Sequence, residues 1–271
     1  MHLASSSLPN VTVTTAADNM KCTFNQYHLG DQLIHMNWMR KVAIQNPHTL
    51  FIHYCGEPYI HTLTEMITDL PNLQVMPLSY TPPGAINSWI NAHGLHDTPG
   101  YRVNKVALLL KHFQLLAQAL DVPNPATTRA DLLLDYPALT QPSPLSQPFD
   151  ILLINSQPRS GQFQSFNPYQ FKALVQDLIN QGKTVTTTEP TLLAPATTEY
   201  GLSIHQIGSI SRFCNTIIAV DTAPLWPTLN PHNLTSVHTR IVLCDLHEFP
   251  FTDNTLTTNN ISNIKHILQK A

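Results

Sequence analysis

The chain has 271 residues, 42% of them hydrophobic and only 11% charged, with a formal net charge of −3. That length buries a substantial core and, at roughly 150 residues per domain, suggests about two compact units. So small a charge argues against a basic face for nucleic acid or a polybasic membrane anchor, and it leaves recognition to local chemistry.

Residues 1–20 are rich in Ser and Thr, nearly uncharged and without an apolar period, which predicts a loosely attached arm. The opening Met1-His2-Leu3-Ala4-Ser5-Ser6-Ser7 lacks the basic and apolar regions of a signal peptide. No apolar run is long enough to span a bilayer, so the expectation is a soluble, cytoplasmic protein. From Lys21 the pattern becomes regular. A strand at 22–25 leads through Tyr27-His28-Leu29-Gly30-Asp31 into a helix ending near residue 44, and a second strand follows at 49–55. A helix at 59–70, a strand at 73–78 and a helix at 102–120 continue the alternation, predicting a parallel sheet with helices as crossovers. Val106, Leu110, Phe113 and Ala117 recur at helical spacing and read as a core stripe.

Between residues 120 and 148 stand Pro123, Pro125, Pro137, Pro142, Pro144 and Pro148, too many for a long helix or a central strand. This Pro-rich linker is the expected boundary between a first domain at 21–148 and a second at 149–271. Alternation resumes with a strand at 149–155, a helix at 168–181 stopped by Gly182, a strand at 183–188, a helix at 203–213 and a strand at 216–221. A last strand at 240–245 and a terminal helix at 259–270 complete the prediction. Cys22, Cys55, Cys214 and Cys244 show no C-x-x-C spacing, and three of them lie in or beside predicted strands, as small buried hydrophobes do in a reduced compartment. The 14 histidines are scattered without a metal-ligand pattern, so no metal site is expected.

Two tandem parallel-sheet domains place the carboxyl ends of their strands around a shared cleft, the usual ligand position in open α/β sheets. Four loops there carry candidate chemistry. In Leu29-Gly30-Asp31, Gly30 permits a tight turn, while Asp31 is either a cleft carboxylate or simply an acid stabilised by the helix dipole. The loop Asn155-Ser156-Gln157-Pro158-Arg159-Ser160-Gly161 joins hydroxyls of Ser156 and Ser160 to the Arg159 fork, suited to a phosphate or to a solvated turn. Glu189 closes the next strand as an acceptor for a ribose. The fourth loop, Val220-Asp221-Thr222-Ala223-Pro224-Leu225-Trp226-Pro227, follows a buried strand and places Pro at a helix start. Unpaired N–H groups and a positive dipole end there would favour an anion.

Leu29-Gly30-Asp31, followed much later by Ser209-Ile210-Ser211 and Ile218-Ala219-Val220-Asp221-Thr222-Ala223-Pro224, resembles the heptosyltransferase-type glycosyltransferases of the GT-B fold, family nine. The resemblance runs in the same order over residues 21–245. It implies two Rossmann-like domains facing a central cleft, and transfer of a sugar with inversion from a nucleotide-diphosphate sugar to a hydroxyl of a glycan or glycolipid, without a metal or other cofactor. It further implies that Asp31 is the general base and that the Thr222 and Ala223 amides hold the diphosphate with Gly30, Ser156, Arg159, Ser160 and Asp221 nearby. Glu189 would touch the ribose. The chain departs from the family's pattern at Ala223, where Gly is usual, and at Leu225-Trp226, where Met-His is usual. Two other functions fit the same features: an inactive nucleotide-sugar or glycan-binding protein, and a nucleotide-sugar epimerase.

Overall fold

In the computed structural model, which describes residues 19–93, 103–159 and 161–270, the chain opens with β1 (Met20–Asn25), α1 (Leu29–Gln45), β2 (Leu50–Cys55), α2 (Glu57–Glu65) and β3 (Leu73–Pro77). These strands fall where apolar runs predict them, because a parallel strand covered on both faces is apolar throughout. A short β4 (Ile86–Asn87), too brief to show a period, pairs with the far side of β1. The resulting all-parallel sheet has the order β3-β2-β1-β4. Of the expected arm, residues 1–18 lie outside the described residues, and Met20 already belongs to β1. α2 ends at Glu65 and not near 70, since the buried Arg40 guanidinium binds the Met66 carbonyl and pairs with Asp69 through both carboxylate oxygens.

β5 (Val103–Asn104) then runs straight into α3 (Lys105–Leu120). The helix starts three residues later than expected because the Asn104 side chain caps it, accepting from the Ala107 N–H at 3.0 Å. The second half supplies β6 (Phe149–Ile154), α4 (Pro168–Asn180), β7 (Val185–Thr187), α5 (Ile204–Ile210), β8 (Cys214–Val220), β9 (Thr239–Leu243), β10 (His247–Glu248), β11 (Thr255–Thr258) and α6 (Asn263–Lys270). Its sheet is also all-parallel, in the order β11-β9-β8-β6-β7, while β10 pairs with β5 from the first half. β10 and β11 escape the apolar pattern: one has two residues and the other is Thr-rich. α5 is shorter than expected at both ends, opening at the Ser203/Gln206 capping box and tightening into a 3-10 turn at 211–213.

The Pro-rich stretch is not a free tether. Leu132, Leu134, Tyr136 and Leu139 are buried, and the Leu134 N–H donates to the Leu229 carbonyl at 2.8 Å. One apolar cluster runs from Leu33 and Met36 of α1 through Phe113 of α3 and these residues to Leu152, Ile217 and Trp226 of the second half. All four cysteines are free thiols, three of them buried. Each sheet has a point where the strand order reverses, between β1 and β4 in the first and between β6 and β8 in the second, and loops leaving such points diverge to leave a crevice.

Candidate functional site

The two crevices merge. A single cleft of about 1040 Å³ is lined by His28–Asp31 after β1, Pro58 and Tyr59 after β2, and Asn155–Arg159 after β6. Glu189–Thr191 after β7, Asp221–Pro224 after β8, and Lys105, Phe166, Lys172 and Trp226 line it too. Of the residues singled out in the sequence, Gly30, Asp31, Ser156, Arg159, Glu189, Asp221, Thr222 and Ala223 all face this cleft, whereas Ser160 lies outside the described residues.

Gly30 does not make a tight turn. It sits in the first turn of α1 with an ordinary φ, and its need for glycine is steric. A Cβ there would lie 2.9 Å from Trp226 Nε1 and 3.7 Å from the Ala223 Cα, so the amino end of α1 presses directly on the loop after β8. That loop corrects a second expectation. Pro224 stands second in a 3-10 helix, Ala223–Thr228, and no α-helix forms because Pro227 has no N–H to donate and its ring would crowd the carbonyl four residues back. The dipole of so short a segment is small, which leaves the individual Thr222 and Ala223 amides as the anion-binding groups on offer. Ala223 fits without strain, since its φ is not positive. Trp226 is buried against Phe249 and Phe251, with ring centroids 6.0 and 5.6 Å away.

Asp31 is half-buried at the third position of α1, on the same cleft as Thr222. Burial pushes its carboxyl above the usual aspartate value, while Lys105, His28 and a hydrogen bond from Trp89 pull the other way. Asp221 is 4% exposed, and burial raises it to about 6; Lys105 opposes that shift and Asp31 adds to it. The Lys105 charge thus favours the ionised form of both acids, and Asp31 disfavours ionisation of Asp221.

On the opposite wall Asn155 organises two loops. Its Oδ1 accepts from the N–H groups of Thr188 (3.1 Å) and Glu189 (2.9 Å), and its Nδ2 donates to the Glu189 carbonyl at 3.2 Å. Ser156 donates to Glu189 Oε1 at 3.2 Å, so the Ser and Glu predicted separately form one unit. Arg159 is exposed on the rim, and no ion pair engages it among the described residues. Sequence reasoning missed Lys105, Asn155 as a loop anchor, and the Phe166 and Lys172 wall. Lys105 carried one signal: a lysine in the first turn of a helix opposes the dipole and implies a local anion.

No family model and no curated protein matches the chain. Solved structures do. The chain is similar to E. coli heptosyltransferase WaaC with ADP-2-deoxy-2-fluoro heptose at 11% identity and TM-score 0.57, over 93% of this chain and 99% of that one. The fold is that of the heptosyltransferases. E. coli WaaC with ADP matches at 10% identity and TM-score 0.53, over 93% and 97% of the two chains. E. coli ADP-heptose lps heptosyltransferase II matches at 11% and 0.52, over 93% and 99%. The heptosyltransferase fold thus extends over nearly the whole of this chain. Among its described residues, no helix is long and apolar enough to cross a membrane.

Proposed function

We propose that the protein is an inverting glycosyltransferase that moves a sugar from a nucleotide-diphosphate sugar to a hydroxyl of a glycan or glycolipid, with no metal required. One observation carries this reading: a carboxylate at the amino end of α1 and an amide-bearing loop after β8, Asp31 and Thr222-Ala223, face one cleft of about 1040 Å³, large enough for a nucleotide-sugar. In the reaction the acceptor oxygen attacks the anomeric carbon as the bond from that carbon to the diphosphate oxygen breaks. The bonding electrons leave with the diphosphate, and the hydroxyl proton passes to Asp31. Attack opposite the leaving group inverts the centre. Negative charge growing on the diphosphate meets the Thr222 and Ala223 amides and the Arg159 guanidinium, fixed donors that need no reorganisation at the moment of bond breaking. Glu189, steadied by Ser156, is the acceptor available to ribose hydroxyls. The solved structures that share the fold include heptosyltransferases with ADP and an ADP-heptose analogue, which supports a nucleotide-sugar donor.

The test is a thermal-shift screen against nucleotide-sugars followed by an acceptor assay with the stabilising donor. Asp31→Asn is expected to cut turnover at least about 100-fold, the scale of general-base catalysis, and to leave the donor dissociation constant unchanged. Wild-type protein that binds a donor but never turns over would mark a binding protein. A donor altered without any acceptor would mark an epimerase.

A further inference from the structure

α3 begins with a buried cation. Lys105 occupies the first helical position, where the dipole disfavours positive charge, and is only 3% exposed. An ammonium in that setting needs an anion close by. Two are supplied from the two halves of the chain, Asp31 on α1 and Asp221 after β8, and both feel the Lys105 charge. The Lys105 Nζ stands 5.8 Å from the centroid of Trp226, the same ring that presses on Gly30 beside Asp31. The lysine, the indole and the two acids all line one floor.

We propose that Lys105 is a positioning residue, the shared counter-ion that keeps Asp31 ionised and aimed into the cleft while Asp221 stands near it. The proposal rests on Asp31 as the base. Asp31 needs its charge to act as a base, burial works against that charge, and the Lys105 cation favours it. The same cation favours the ionised form of Asp221, so one lysine serves both acids. The other groups facing Asp31 are His28 on its own side, the Trp89 indole, and His35 and His112 around a small cavity behind it. None of these also reaches Asp221, whose own neighbours are Lys105, Asp31 and the Cys244 thiol. Lys105 takes no part in bond making.

The experiment is a carboxyl 13C NMR titration of aspartate-labelled protein, with the Asp31 signal assigned by its loss in Asp31→Asn. Lys105→Met should raise the Asp31 pKa by about one unit or more, a tenfold change in proton affinity, and Lys105→Arg should return most of it. A lysine serving only to pack would leave that titration in place, and an unmoved Asp31 in folded Lys105→Met overturns the proposal. Should Lys105→Met fail to fold, the double variant with Asp31→Asn decides: recovery supports a carboxylate pair left without its counter-ion, and continued failure overturns it. Once a substrate is in hand, kcat should fall in Lys105→Met with donor KM nearly constant, and the acid limb of the pH profile should move up with the Asp31 pKa. The titration needs no substrate. A shifted Asp31 in a protein that never transfers sugar therefore sinks the transferase reading and keeps the counter-ion, while an unshifted Asp31 in an active enzyme does the reverse.

Discussion

At Gly30 a single missing methyl group decides how closely two parts of the molecule approach. The Trp226 ring is buried and packs on Phe249 and Phe251, so a Cβ at 2.9 Å from Nε1 forces a shift of that packed ring, of α1 or of the loop after β8. Gly30→Ala should cost about 1–3 kcal/mol, the usual price of overpacking, measured by urea unfolding. Stability equal to wild type would show that the contact is loose. Arg159 represents the opposite case, a residue whose loss the fold does not notice. It is exposed, so Arg159→Ala should leave the melting temperature unchanged and weaken nucleotide diphosphate binding by more than about 1 kcal/mol, the scale of one charge-assisted hydrogen bond. Calorimetry that returned the wild-type dissociation constant would remove Arg159 from the site.

At the scale of elements, Asn155 ties the loop after β6 to the loop after β7. Its side chain accepts from two backbone N–H groups and the Thr188 hydroxyl, and donates to the Glu189 carbonyl. Asn155→Ala leaves the Thr188 and Glu189 amides without that partner, an expected loss of roughly 1–3 kcal/mol. Amide hydrogen exchange should quicken at those two residues and not in β6 itself; uniform exchange across the sheet would contradict a local anchor. The same element shows what a sequence can reveal. β6 and β8 are legible because both their faces are buried, which makes the run apolar, and the loops that follow them are legible as candidate sites by position alone. That Asn155 would turn back to hold Glu189, 34 residues on, is a tertiary fact with no local period. The expected helix after Pro224 fails for a reason visible in the chain, the second proline at 227, whose veto on an α-helix outweighs the favourable first position. Lys105 stayed hidden because the apolar stripe of α3 explains that helix without it, and its partners come from residues 31 and 221.

For the molecule as a whole, the first sheet buries a histidine pair that sets its response to acid. Thr23 Oγ1 lies 2.9 Å from His53 Nδ1 and 3.1 Å from His35 Nε2, and the rings are 4.8 Å apart. The hydroxyl can donate to one ring while accepting from the other, and the ring it donates to must be neutral. Burial drives His53 down to about 3 and His35 well below the usual histidine value. The unfolded chain takes up these protons near pH 6.5 and the folded one resists, so the unfolded state binds more protons and stability falls as pH drops from about 6.5 toward 3. Asp221 works against this trend. Its folded value of about 6 lies above the unfolded aspartate value, so the native state binds the extra proton below pH 6 and regains stability there. Comparing wild type with His53→Gln separates the two, because the aspartate contribution is common to both proteins. Urea unfolding at pH 7 and pH 5 should show wild type losing about 2 kcal/mol more than the variant, the product of roughly 1.4 kcal/mol per pH unit and the interval below 6.5. Equal losses would mean that His53 is protonated in the folded protein, with the Thr23 hydroxyl serving only as its acceptor.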